Sequence, residues 1–420
     1  MRRADRAVEH NAGYLVSVER DWEAARPILE ANLRADTKSP FQSIQVLDSW
    51  YRAMAIRSDL EPLIVSAFEP HTKALALSLP LVRRNGGSVR TISFADEGLI
   101  DYNAPILGDG APQTPESSAR LWQSIIASLP PADLIDFRKM PTAVGARANP
   151  LALLSTLPSA LNGNVVHAGE NYQEHVRATL RRQVRKELER SWRVFSRHPD
   201  AYFRVVDDID QRRTVLAAIE SQQPVRMRHA GNQYELGRPE AADFYRRLVE
   251  GDPSGTFVVV TALVAADQIV AALMGLRNGD SFTMIRISST TSPEWTNCSP
   301  GRLVIERTMA HLHALGVRSF DFSIGNYDYK RRFGVQPSDL VDLLKPLTPL
   351  GMLSAAAAHG RTWLRRHPAL HAMLQSLRGV FSTNGPKFAD DGNEVGFAPA
   401  GGAVPPSLRP GTQENATASR

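Results

Sequence analysis

The sequence predicts an α/β fold made of two tandem lobes, each a mixed central sheet flanked by helices, with C-terminal helices and a disordered tail. Three observations lead there. Two blocks of the chain run through the same order of elements, a long basic helical stretch joins them, and from Gly385 the composition turns to Gly, Pro, Ala and small polar residues. The 420 residues suffice for two domains that each bury their own core.

Residues 1–12 are polar and expected to be disordered. The first lobe is placed at 13–165. In it LIVSAFE, ALALSLPLV and VRTISF read as strands, followed by a loop with DYNAPIL, a helix at SSARLWQSIIASLP and a returning strand at DLIDFRKM. The second lobe, 166–348, repeats that order. FVVVTALVA, IVAALMGLR and SFTMIRIS are the strands, SSTTSPEWTNCSPG the loop, RLVIERTMAHLHALG the helix and SFDFSI the returning strand. The residues differ but the element order is the same, which is the mark of a duplicated unit.

The joining stretch, NYQEHVRATLRRQVRKELERSWRVFSRH, reads as one long helix. It carries Arg177, Arg181, Arg182, Arg185, Lys186, Arg190, Arg193 and Arg197, several at spacings that share a face. Such a face is either simply solvated or a contact for an anionic substrate or cofactor phosphate. Residues 349–384 read as basic amphipathic helices. Arg361, Arg365, Arg366 and Arg378 alternate there with apolar residues, so 360–381 either packs on the parent domain or touches an anionic membrane surface. The tail, 385–420, cannot bury enough apolar surface to order itself.

Composition narrows the class. With 43% hydrophobic and 22% charged residues the chain is a soluble globular protein. A formal charge of +5 and a pI near 9.4 are compatible with anionic ligands. Cys298 is the sole cysteine, which excludes an internal disulfide and a thiolate zinc cluster. Neither a signal-peptide core nor a membrane-length apolar run is present, so a cytoplasmic location is expected.

The chemistry concentrates in SPGRLVIERTMAHLHALGVRSFDFSIGNYDYKRRFG. Ser299 can cap a helix that starts with Pro300, and Gly301 leaves room for a ligand's backbone. A helix start after a strand and loop suits a pyrophosphate, and Arg302 adds charge there. Past the strand, Gly325 breaks the chain before Tyr327, Tyr329 and Lys330, delivering polar groups to the carboxyl end of a strand. Asp321 is either a buried, hydrogen-bonded residue or a general base. Lys330 either neutralises an oxyanion or phosphate or lies at the surface. His311 and His313, two apart, do not form a helical metal pair. Asp101, Tyr102 and Asn103 either line an acceptor cleft between the lobes or form an ordinary turn.

Together, FQSIQVLDSWYRA, the DYNAPIL loop, RKELER, SPGRL and FDFSIGNYDYKRRFG resemble the CelD/BcsL-type acetyltransferases associated with cellulose and exopolysaccharide biosynthesis, of the GNAT-like Acetyltransf_6 group. The likeness covers about residues 20–345, and its last segment is also similar to Fem-type double-GNAT transferases. It implies two GNAT-like lobes, acetyl-CoA or another acyl-CoA as co-substrate, no metal, and an amine or hydroxyl acceptor on a sugar, polysaccharide or cell-envelope precursor. It also implies a donor site held by Ser299, Pro300, Gly301, Arg302, Leu303 and Gly325. The usual QxxGxG/A phosphate loop is replaced by NCSPGR.

In the expected reaction the acceptor attacks the thioester directly, Asp321 takes its proton, Tyr327 or Tyr329 is the acid to the thiolate, and Lys330 assists. Cys298 is expected to be structural rather than an acyl carrier. Two other readings stand beside this one: a Fem-like transferase taking its acyl group from a charged tRNA, the sole case in which nucleic acid is a partner, and a non-catalytic scaffold of a polysaccharide-synthesis system.

Overall fold

The computed structural model describes residues 13–32, 39–229, 234–325 and 327–365. The chain opens with β1 (Leu15–Glu19), α1 (Trp22–Asn32), α2 (Ile44–Met54), β2 (Leu60–Phe68), β3 (Leu75–Arg84) and β4 (Thr91–Phe94). The short β5 (Ile106–Leu107), α3 (Pro115–Ser128) and β6 (Leu134–Pro141) follow, then the hairpin of β7 (Ala143–Val144) and β8 (Arg147–Ala148). β9 (Leu157–His167), α4 (Tyr172–Thr179) and α5 (Arg182–Phe195) lead into the second half, which holds β10 (Tyr202–Val205), α6 (Ile209–His229) and α7 (Pro239–Glu250). β11 (Val258–Ala265), β12 (Gln268–Asn278), β13 (Ser281–Ser289), α8 (Pro300–Ala314) and β14 (Ser319–Asp321) come next. The last described elements are α9 (Asp328–Arg331), β15 (Gln336–Pro346) and α10 (Pro349–Arg365). The ends expected to be disordered, 1–12 and 385–420, lie outside the described residues, as does the stretch after Arg365 that contains most of 360–381.

Local chemistry explains the element starts. The Ser43 side chain accepts from the Val46 N–H and starts α2, while Thr114 and Ser117 form a reciprocal cap on α3 with Pro115 in its first turn. The single joining helix expected from the sequence is two helices, broken at Leu180 and Arg181. Leu180 is buried in an extended conformation, and the Arg185 guanidinium donates to the carbonyls of Arg177 and Leu180 at 2.8 and 2.6 Å. A basic side chain thus satisfies carbonyls that the break frees.

The lobes carry matching sheets that fuse into one, in the order β1-β2-β3-β4-β6-β15-β9-β14-β13-β12-β11-β10, with β5 on β3. In each half three antiparallel strands end in a parallel pair, β4 with β6 and β13 with β14. The central strands are exchanged: β9, from before the second block, pairs with β14, whereas β15, from the chain's end, pairs with β6, and the two pair with each other. One core runs between the lobes, where α2 packs on α7, and Arg57 reaches across to Glu240 at 3.3 Å. α8 covers the second lobe's other face, and α3 that of the first.

Candidate active site

β13 and β14 stay paired for three residues only, ending with Thr283 opposite Asp321. Just beyond, the β12–β13 register slips at Met274/Gly275 and makes Ile285 an extra residue in β13. A bulge bends the strand that carries it. β13 therefore continues to Ser289 while β14 has ended, and the two parallel strands part at their carboxyl ends, where α/β sheets hold ligands. The first lobe has the equivalent parallel pair, matched at only two positions, Thr91 with Leu134 and Ile92 with Ile135, but its fork is filled. There the β3–β4 register runs straight, and Lys139 fills the fork, its Nζ 2.8 Å from Asp96 Oδ2 and 2.5 Å from the Ile100 carbonyl.

Asp321 stands at the apex of the open fork. Its neighbours Phe320 and Phe322 enter the core under α8, so strand alternation turns Asp321 to the opposite face, toward the first lobe. There Tyr102 donates to Asp321 Oδ1 at 2.9 Å, and the Ser323 N–H donates to the same oxygen at 2.6 Å. Burial pushes the Asp321 carboxyl up to about 7, against the pull of these two donors. The Ser323 hydroxyl in turn donates to Asp101, whose carboxyl is also raised by burial. The DYN loop and the FDFSIG segment thus form one inter-lobe cluster.

The short α9 turns Lys330 back into this cluster. Lys330 is 2% exposed, donates to the carbonyls of Ser323 and Ile324 at 3.1 and 2.5 Å, and lies 5.1 Å over the Tyr327 ring. Burial pulls its ammonium down to about 8, while Asp101 and Asp321 work the other way. Tyr327 and Tyr329 stack at 6.2 Å, and burial drives the Tyr329 phenol upward, which makes it a poorer acid than Lys330. Gly325 has φ +95°, and a Cβ there would come 2.7 Å from the Tyr327 ring. Glycine is what lets the chain turn at this point.

The start of α8 is arranged differently from a side-chain-capped helix. Ser299 is the N-cap residue but has φ 44° and makes no side-chain cap; its Oγ instead accepts from Arg302 Nη2 at 2.9 Å. Arg302 is further engaged with Glu187 at 2.9 Å, and Leu303 is fully buried with its N–H on the Ser299 carbonyl. Neither side chain is directed to a ligand. The space over Gly301 is bordered by Arg226 Nη1 and Ser289 Oγ, each 3.5 Å from where a Cβ would sit, and these two atoms are themselves 2.8 Å apart. Burial lowers the Arg226 guanidinium to about 10. Cys298 is buried with its thiol on the Trp295 carbonyl and its pKa raised by burial, the opposite of an activated nucleophile. His313 is tied to the Gly169 carbonyl at 2.7 Å.

Sequence reasoning singled out Asp321, Lys330 and the DYN loop separately; the structure brings them together. It missed Ser323, Lys139 and Arg226. A hydroxyl beside Asp321 was a readable signal for Ser323, whereas nothing in the α6 sequence marks Arg226. Among the described residues no group of His, Cys, Asp and Glu is arranged to hold a metal ion.

The chain is similar to several solved structures. A conserved protein of unknown function from Bacteroides thetaiotaomicron VPI-5482 is 14% identical, with a TM-score of 0.49 over 80% of this chain and 100% of that one. FemX is 8% identical, with a TM-score of 0.49 over 78% and 96%. A tandem GNAT protein from the clavulanic acid biosynthesis pathway is 8% identical, with a TM-score of 0.38 over 80% and 99%. No curated protein matches the sequence. Residues 182–331, which include the open fork, the α8 start and Lys330, match the family described as acetyltransferase (GNAT) domain, Acetyltransf_6.

Proposed function

We propose that the protein is an acyl-CoA-dependent N- or O-acyltransferase whose donor enters the β13–β14 fork and whose acceptor, a sugar or cell-envelope precursor, approaches from the inter-lobe side. The observation that carries this reading is the open fork with Asp321 at its apex, in the lobe that matches the GNAT family. Both donors to Asp321 fall on Oδ1, which leaves Oδ2 to take the proton of an attacking amine or hydroxyl. A carboxyl at about 7 is matched to that task near neutral pH. Lys330, at about 8, is the group placed to return a proton to the departing thiolate.

Acyl-CoA is consumed here as a substrate, and the residues fit it in part. The α8 start lacks a side-chain cap, has a glycine in its first turn, and lies beside the Arg226 guanidinium, a combination that favours phosphate. Arg302 and Leu303 are committed to the protein itself. The test is thermal unfolding with added acetyl-CoA, together with thiol release in the presence of amino sugars. Saturating ligand at about a hundred times its dissociation constant adds about 2.7 kcal/mol. Salt-sensitive binding of tRNA without any response to CoA would replace this reading with the tRNA-dependent one. No response to either would leave a scaffold.

A further inference from the structure

Met284 and Ile287 of β13 both enter the core under α8 although they are an odd number of positions apart, which strand alternation allows only because the bulge adds Ile285. Ile285 and Arg286 therefore both turn to the inter-lobe face. Ile285 packs on the inter-lobe core, and Arg286 meets Gln223 of α6 and Tyr245 of α7. Arg286 follows Thr283 in the stretch of β13 that β14 has left, on the side from which the acceptor approaches. The bulge that opens the fork thus also places a guanidinium beside it.

Arg286 is 2% exposed, and the groups it hydrogen-bonds are neutral. Its Nε donates to Gln223 Oε1 at 3.1 Å, and Nη2 donates to the same oxygen and to the Tyr234 hydroxyl, the latter at 2.6 Å. Nη1 makes no hydrogen bond to a described residue; the carboxylate within its range, Glu220, stands 3.8 Å away and is 36% exposed. The guanidinium carbon lies 4.4 Å over the Tyr245 ring. Tyr245 is 4% exposed, and among the described residues its hydroxyl has no hydrogen-bond partner. Burial raises that phenol, so it stays protonated and can donate. The other charges that act on it are engaged elsewhere, Asp101 by the Ser323 hydroxyl and Arg238 by the Glu97 carbonyl at 2.6 Å. A buried cation without a close counter-charge is costly to hold, and an apolar side chain would join α6 and α7 to β13 at less cost. A free guanidinium edge beside an idle hydroxyl is the donor set that carboxylate and phosphate oxygens accept from.

We propose that Arg286 and Tyr245 hold an anionic group of the acceptor, a carboxylate or a phosphate, and so select charged acceptors over neutral ones. The proposal rests on the acceptor entering from the inter-lobe side. The test is calorimetric titration of the full chain with glucosamine, glucosamine 6-phosphate and muramic acid. At least one of the two charged sugars is expected to bind about tenfold more tightly than glucosamine, as a hydrogen bond to a charged group requires, and the tighter of them identifies the anion. Arg286→Lys keeps the charge but not the planar fork and should remove about tenfold of that preference. Tyr245→Phe keeps the ring under the guanidinium and removes only the idle hydroxyl, so it should melt as the wild type does and lose about fivefold. If Arg286→Lys melts early, Tyr245→Phe carries the test.

Charged sugars bound no more tightly than glucosamine, or not at all, overturn the proposal. So does a preference that survives Tyr245→Phe and a folded Arg286→Lys. Titration with acetyl-CoA separates this outcome from the fate of the acyl-CoA reading. A preference that depends on Arg286 in a protein that ignores acetyl-CoA would keep the anion site and remove that reading. Acetyl-CoA binding without the preference would do the reverse.

Discussion

Replacing Asp321 by Asn should remove a defined part of the protein's pH-dependent stability. The carboxyl has an ordinary value of 3.8 and is pushed up to about 7 in the folded chain, mainly by burial. Between those values the native state keeps a proton that the unfolded state has released. Stability therefore falls as pH rises through this window, and the loss is complete above the folded value. At about 1.4 kcal/mol for each pH unit, the window contributes about 4 kcal/mol. Asn is the appropriate substitute because both donors fall on Oδ1, so an amide with its oxygen there accepts from Tyr102 and Ser323 alike. Asp101, raised in the same direction, remains in both proteins, and the part of the Asp321 shift that its charge causes is included in the difference. Urea unfolding at a series of pH values from 4 to 8 gives that difference directly. The variant should gain on the wild type by about 4 kcal/mol across the series, and a flat difference would show that Asp321 is not a buried acid of raised pKa.

Tyr102→Phe removes one of the two donors that favour the ionised form of Asp321, so the same stability window should extend to higher pH. Above that window the loss should be about 1.5–3 kcal/mol, the range for a hydrogen bond to a charged group, and smaller in acid; an equal loss at every pH would contradict the assignment. Gly351→Ala places a Cβ 1.8 Å from the Asp133 carbonyl oxygen, a main-chain atom that cannot rotate away. A cost of about 1–3 kcal/mol is expected, seen as a melting temperature about 2–4 °C lower per kcal/mol, and an unchanged melting curve would mean that α10 does not pack there.

The duplicated order of strands, loop, helix and returning strand was legible because strands such as β3 and β11 are nearly continuous apolar runs between turn residues. The exchanged strands were not. LPSALNGNVVH and QPSDLVDLLKP alternate poorly, contain Pro or Gly and polar residues, and are held by each other and by strands from the opposite half. Their pairing is long-range, and β propensity reads local fit to a sheet rather than a distant partner. α6 was hidden for another reason. It turns Arg212 and Gln223 inward, where the guanidinium meets the Asp252 carbonyl and the amide meets Ile287 at 3.0 Å, so polar residues occupy positions that a helical pattern needs to be apolar. The candidate site was legible residue by residue and not as a constellation, since Tyr102 and Asp321 are 219 positions apart. The β13 bulge has no sequence signature in SFTMIRIS at all.

The same asymmetry explains why a repeated fold has one candidate centre rather than two. Both lobes bring a parallel strand pair to a fork, and a fork becomes a site only if its strands part and its interior is not occupied. In the first lobe the fork is closed by the Lys139–Asp96 pair and by Asn103, whose amide donates to Asp96 at 2.7 Å and to the Arg138 carbonyl at 3.0 Å. That polar plug fixes the DYN loop from behind and presents Tyr102 forward to the second lobe, where Gly163 leaves room for it: a Cβ there would fall 2.6 Å from the Tyr102 hydroxyl. Gly163 lies on β9, one of the exchanged strands, so the sheet exchange that fuses the lobes also creates the space through which Tyr102 reaches Asp321. The first lobe thus gave up an opening of its own and became a wall of the second lobe's.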